Sequence, residues 1–166
     1  MVSKSRGCTY KGMKKLSSET QKIRISQPKT PKDFDKYYDL RWRILRKPWN
    51  QPKGSQRDEY EEEAIHVMAC LNDKVIAVGR AHFNSSDEAQ IRYMAVESSF
   101  QGRGVGSLIL RELERRAKEE GAQHMILNGR ENAIGFYQKN GYKIIDKGPT
   151  LFGCITQWKM RKELTY

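Results

Sequence analysis

The pattern of apolar positions changes character at Ile23. Residues 1–20 show almost no apolar periodicity, and Tyr10 is their one aromatic side chain. From Ile23 the alternation in KIRIS predicts a strand, after which Phe34, Tyr37, Tyr38, Arg41 and Leu45 recur at helical spacing. Thr30 as cap, Pro31 in the first turn and Asp33 beside it mark the start of that helix, and Pro48 marks its end. The acidic segment RDEYEEE, behind the loop NQPKGS, has no decisive period. Strands follow: AIHVMACL and KVIAVGRAHF form a hairpin across Asn72-Asp73, and AQIRYMAV comes after the polar turn NSSDE. A long amphipathic helix, GVGSLILRELERRAKEEG, precedes the strand HMILN, the helix ENAIGFYQKN and the strands YKIID and CITQWKM. Gly121 and Gly141 close the two helices. In the last strand Cys154, Thr156, Trp158 and Met160 are predicted to share one face, and Gln157, Lys159 and Arg161 the other. The order β α β β β α β α β β predicts an α/β or α+β fold with a mixed sheet flanked by helices and no internal repeat.

Composition narrows the classes. The 166 residues fit one domain large enough to enclose a pocket, 37% of them are hydrophobic, and no run of about 18 apolar residues could span a bilayer. The N-terminus lacks the apolar stretch of a signal peptide, so a cytoplasmic protein is expected, with no membrane partner. Cys8, Cys70 and Cys154 lie far apart, and His66, His82 and His124 show no ligand spacing, so neither a disulfide framework nor a metal is expected. Cys70 and Cys154 are read as strand residues. The net charge of +11 is uneven: residues 1–36 hold ten Lys or Arg against Glu19, Asp33 and Asp35, a surplus of seven, and the rest of the chain supplies four. Residues 1–22 are therefore read as a flexible basic arm and 23–166 as the folded domain. The arm suits an acidic partner, but its dearth of aromatics argues against nucleic acid.

The stretch SFQGRGVGSLIL raises the chemical question. Glycine costs roughly 1 kcal/mol relative to alanine inside a helix, yet Gly102, Gly104 and Gly106 stand where a long helix begins. The spacing is not GxxxxGK[ST], and it is not a GxGxxG directly after a strand, so neither a P-loop nor a dinucleotide fingerprint is present. Two readings are left. The glycines permit a tight turn, or their unobstructed amides at the positive end of a helix cradle a diphosphate, with Arg103 as a cation at the rim.

The string YMAVESSFQGRGVGSLIL resembles the signature of the GNAT superfamily of acyl-CoA-dependent N-acetyltransferases, in which Q-x-x-G-x-G opens a helix; here it is Gln101, Gly104 and Gly106. Asn132, Ala133, Ile134, Gly135, Phe136 and Tyr137, followed by Gly141 and Tyr142, approximate the family's second motif. The resemblance covers about residues 23–162. Within the family, LRWRILRKPWNQPKGSQRDEYEEEAIHVMA is similar to a bacterial subgroup of small single-domain members.

The resemblance implies a mostly antiparallel mixed sheet splayed between its fourth and fifth strands, with acetyl-CoA as co-substrate lying in the gap. Carried over, Met94, Ala95 and Val96 would pair with the pantetheine, with a backbone N–H near Val96 as oxyanion donor. The amides from Gln101 through Gly102, Arg103, Gly104, Val105 and Gly106 to Ser107 would hold the pyrophosphate. Asn132 would reach the cofactor or cap the next helix, and Tyr137 would protonate the departing thiolate. A base is not fixed by the motif; Glu62, Glu63 and His66 are the candidates, and the carboxylates of RDEYEEE could draw in a cationic amine. Trp49 is placed on the acceptor side or as a loop anchor. The expected activity is direct acetyl transfer to a primary amine of a small molecule or peptide. A silent CoA-binding module, a basic-arm binder and a homodimer stay open.

Overall fold

In the computed structural model, which describes residues 22–165, the chain runs β1 (Ile23–Ser26), α1 (Pro31–Leu45), β2 (Ile65–Leu71), β3 (Lys74–Phe83), β4 (Glu88–Val96), α2 (Val105–Glu119), β5 (His124–Arg130), α3 (Ile134–Lys139), β6 (Lys143–Lys147) and β7 (Gln157–Glu163). That is the order the apolar periods predict. The basic arm expected over residues 1–22 lies outside the described residues, apart from Lys22.

Local chemistry sets the ends of α1. The Thr30 hydroxyl accepts from the Asp33 N–H at 3.1 Å, and the Asp33 carboxylate accepts from the Thr30 N–H at 3.1 Å, with Pro31 opening the first turn. Two other elements differ from the sequence expectation. The last strand starts at Gln157, because Leu151 and Ile155 bridge across a tight loop in which Phe152 and Gly153 both take positive φ. Cys154 is therefore exposed in a turn and not on a strand face, whereas Cys70 does sit in β2. The helix expected from Glu131 begins as a short 3-10 turn over Glu131–Ala133; Ala133 precedes α3 without a side-chain cap, so Asn132 does not cap it.

The strands form one sheet in the order β1-β2-β3-β4-β5-β7-β6. β4 and β5 are parallel and their neighbours antiparallel. Alternation along the strands gives the sheet two apolar faces. Val67, Ala69, Ile91, Met125 and Leu127 pack under Ile109, Leu110, Leu113 and Ala117 of α2. Met68, Val78 and Ala95, on the other face, meet Tyr37 and Leu40 of α1. Where α2 presses on β3, the strand carries Gly79: a β-carbon there would fall 2.6 Å from Ile109 Cγ2 and 2.7 Å from Met94 Sδ. A side chain at 79 would displace the helix or Met94.

One irregularity shapes the site. β4 pairs with β5 only from Glu88–Ile91 against His124–Leu127, and beyond Ile91 the two strands part. On the other edge of β4, Val78 pairs with Ala95 and Arg80 with Arg92, so Tyr93 and Met94 together oppose Gly79. Such a bulge bends its strand. Tyr93 takes φ 60°, a value a bulky residue holds only when its surroundings enforce it. The guanidinium carbons of Arg41, Arg92, Arg80 and Arg46 lie 4.4, 4.7, 5.0 and 5.4 Å from its ring centre. This cationic cage fixes the ring.

Candidate active site

The parted strands open a cleft of about 1200 Å³. Met94, Ala95 and Val96 of β4 form one wall, Asn132, Phe136 and Tyr137 form the other, and the loop from Gln101 to Ser107 lies at its mouth. The cleft thus gathers Gln101, Gly104 and Gly106 of the first motif with Asn132, Ala133, Gly135, Phe136 and Tyr137 of the second, while Ile134, Gly141 and Tyr142 lie outside its lining. Arg103 also lies outside the lining, its guanidinium 5.4 Å from the Phe100 ring.

Gly102 and Gly104 take φ of 76° and 81°, and a β-carbon on either would meet nothing within 4 Å. The loop needs glycine for its backbone shape, and that backbone borders open space. Gly104 precedes α2 without a side-chain cap, and the first main-chain bond of the turn runs from the Leu108 N–H to the Gly104 carbonyl at 3.3 Å. The amides of Val105, Gly106 and Ser107 have no acceptor within the helix, and these residues line the cleft. They combine free donors with the positive end of the helix dipole, which fits a diphosphate. Gly106 has a packing role as well: its β-carbon would fall 3.0 Å from Phe136 Cζ, so glycine lets α2 sit against α3. Gln101 bridges the loop to the strand, its Nε2 donating to the Val96 carbonyl at 3.1 Å.

Tyr137 is 9% exposed and packs against Phe136 and Tyr142, ring centres 5.1 and 6.0 Å away. Burial pushes its hydroxyl up to about 12, against the opposing pull of the Arg130 charge. The phenol therefore stays protonated through the neutral range.

The candidate bases lie elsewhere. Glu62 and Glu63 are exposed and outside the cleft. His66 is buried in β2, with Nδ1 2.9 Å from the Tyr37 hydroxyl and Nε2 donating to the Glu61 carbonyl at 2.6 Å. Burial is the first cause that holds it below the usual imidazole value. Glu63 and His66 border a separate, smaller depression beside Arg115 and Arg116. Trp49 does line the cleft.

Two of the five carboxylates in the acidic segment, Asp58 and Glu61, are bound to arginine, while Glu59, Glu62 and Glu63 are exposed. Fully buried Arg41 donates to Glu61 at 2.7 Å and to the Gln56 carbonyl at 3.0 Å. Fully buried Arg80 donates to Glu61 at 2.6 Å and to both oxygens of Asp58, which also accepts from Arg92 at 2.8 Å. Desolvation pushes the Asp58 carboxyl up, but the bonds from Arg80 and the Tyr60 N–H outweigh it and hold it at about 2. These two carboxylates neutralise the arginines behind the Tyr93 bulge and are not free to attract a cationic amine. Nothing in the periodicity of RDEYEEE signals this role; the buried position of Arg41 on the apolar stripe of α1 is the one clue.

A sheet unzipped beside a glycine-opened helix, with a buried phenol across the gap, is the arrangement the resemblance to acyl-CoA-dependent transferases implies. The Acetyltransferase (GNAT) family model matches residues 34–142, and the chain belongs to this family as a small N-acetyltransferase. It is 30% identical over 129 residues to the uncharacterized N-acetyltransferase YjcF of Bacillus subtilis (strain 168), spanning 78% of this chain and 91% of that one. The fold is similar to a GNAT family acetyltransferase from Elizabethkingia anophelis with acetyl-CoA bound, with a TM-score of 0.66, 19% identity and coverage of 86% and 99% of the two chains. It is likewise similar to an aminoglycoside 6'-N-acetyltransferase complexed with coenzyme A, with a TM-score of 0.72, 22% identity and coverage of 86% and 98%.

Proposed function

We propose that the protein moves an acetyl group from acetyl-CoA to a primary amine within a ternary complex. The observation that carries this reading is the β4–β5 gap, which has the Val105–Ser107 amides at its mouth and the Tyr137 hydroxyl in its wall. The similar folds solved with acetyl-CoA and coenzyme A support it.

When bound, acetyl-CoA supplies an already activated thioester. The chain's own part is to hold, orient and polarise. The amides of Val105, Gly106 and Ser107 hold the diphosphate, and Gly102 and Gly104 allow its close approach. The open edge of β4 past Ile91 offers main-chain partners to an extended arm, as to an added strand. In the transfer a carbon–nitrogen bond forms and a carbon–sulfur bond breaks, while nitrogen loses a proton and sulfur gains one. Tyr137 donates to the departing sulfur. Its pKa, about 12, lies above the roughly 8.5 of a thiol, so most of its effect is hydrogen-bond stabilisation and less is complete proton transfer.

Saturation with acetyl-CoA, at about a hundredfold over Kd, is expected to stabilise the fold by roughly 2.7 kcal/mol in thermal unfolding. Free CoA should do nearly as well, and inorganic phosphate far less. No shift with either thioester or thiol would contradict the reading. Thiol release against a panel of amines then separates a working transferase from a silent binder.

A further inference from the structure

The arginines lining the cleft fall into two kinds. Arg43 is held by Asp39 at 2.8 Å and Glu97 at 2.9 Å, and Arg92 by Asp58 at 2.8 Å. Arg46 and Arg130 have no carboxylate within ion-pair distance among the described residues, and they donate to main-chain carbonyls. Arg46 Nε donates to Ser55 at 3.1 Å. Arg46 Nη1 and Arg130 Nη2 both donate to the Leu45 oxygen, at 3.1 and 3.0 Å. One carbonyl at the end of α1 thus holds two cationic side chains close together. Aromatic rings wall them in: Arg130 lies 4.6 Å from the Trp49 ring centre and Arg46 5.0 Å from that of Phe152, and the two rings are 6.3 Å apart.

Two like charges brought together away from water repel, and a helix C-terminus answers them with only about half a negative charge. Burial first, and the Arg46 charge second, pull Arg130 down to about 10. Burial likewise lowers Arg46, which is 5% exposed. The cleft does not relieve this charge, because no Asp or Glu lines it among the described residues. A planar guanidinium pair with spare N–H donors matches a carboxylate or phosphate, which it can bind in two-pronged fashion.

The fold also places the pair with respect to the cofactor. Met125 and Leu127 of β5 point under α2, in the same apolar cluster as Tyr137. Arg130 reaches to the end of α1 on the opposite face. The Val105–Ser107 amides belong to α2, so the diphosphate and the arginine pair approach the gap from opposite sides of the sheet. The pair borders the cleft from the α1 face of the sheet.

We infer that the acceptor is an amine that also carries a carboxylate or phosphate group, gripped by Arg46 and Arg130 while its nitrogen enters the β4–β5 gap. This rests on the acetyl-CoA reading of the cleft. An acceptor with several ammonium groups would add positive charge to a site with no carboxylate in its lining. The same two cations disfavour the ammonium form of a neighbouring amine and so favour the neutral form that attacks.

The test needs no known acceptor. CoA is joined through an acetyl bridge on sulfur to the nitrogen of glycine, β-alanine or γ-aminobutyrate, each beside its carboxamide, and to the nitrogen of aminoalkylphosphonates of the same lengths, each beside its dimethyl ester. Binding to the full chain is measured by calorimetry. At one length or more, the acid should bind about tenfold or more tightly than its neutral partner. The carboxylate and phosphonate arms distinguish the two sources of charge. The ratio should fall towards one in Arg130→Gln and in Arg46→Gln, recover in part in Arg130→Lys, and shrink as salt rises. Equal binding of acid and neutral partner at every length in the wild-type protein, with free CoA still bound, overturns this inference alone. Failure to bind free CoA as well overturns the reading beneath it. A wild-type preference that survives both glutamine variants removes the arginine pair from the explanation.

Discussion

Tyr137→Phe is expected to slow acetyl transfer by about a hundredfold while leaving acetyl-CoA affinity within about twofold. The ring is buried between Phe136 and Tyr142, and phenylalanine keeps that packing, so the loss is confined to one hydroxyl. That hydroxyl holds its proton to about pH 12, so the donor is present across the neutral range and the defect should be nearly constant with pH there. Single-turnover rates with saturating acetyl-CoA read the effect without interference from product release. A phenylalanine variant as fast as the wild type would remove Tyr137 from the chemistry and leave it a wall residue.

Arg80→Met should be the most damaging single change to stability away from the apolar core, costing about 3 kcal/mol or more. Arg80 is fully buried and bonds to both Asp58 and Glu61, whose side chains are 8% and 7% exposed. Arg92 and Arg41 still reach those carboxylates, which sets the estimate at the low end of what breaking a buried pair costs. The acid limb of stability carries a second signature. Asp58 titrates near 2 in the folded protein, below its ordinary value of 3.8. Its contribution is therefore complete above the unfolded value and is lost as pH falls through about 2. In Arg80→Met the folded value rises towards the ordinary one, and that part of the acid-side loss should shrink. Urea unfolding of both proteins between neutral pH and about pH 2 measures the cost and the slope together. A variant within about half a kcal/mol of wild type with an unchanged acid limb would show that the network is not a stabilising element.

The two examples mark where sequence reading succeeds and where it stops. The glycines at 102, 104 and 106 and the strand and helix order were legible because each rests on local rules: backbone conformation, helix ends and the alternation of apolar positions; Tyr137 was singled out only through the family resemblance. The splay between β4 and β5 was legible only through the family resemblance. Tyr93 was not, since nothing local marks a tyrosine for positive φ; it falls at the bulge opposite Gly79, and the four arginines around its ring come from α1, its end, β3 and β4. Asp58 and Glu61 were hidden for the same reason, because a short acidic run looks alike whether solvated or bound to buried arginines. Glu62, Glu63 and His66 were chosen for chemical type and nearness to the sheet, but none of them lines the cleft, and His66, level with Arg80 and Arg92 in the register, stands two strands away from β4. Arg130 ends a short strand and carried no signal by itself; only the shared Leu45 carbonyl joins it to Arg46.

The central claim is that main-chain donors at the entrance of α2 and the open edge of β4 together hold a nucleotide thioester. Amide chemical shifts followed by NMR during a titration with free CoA test it directly. The largest changes should fall on Val105, Gly106 and Ser107 and on Met94 and Val96, with β1 and β6 unmoved. Saturable binding that leaves the amides of residues 101–107 where they were would contradict it.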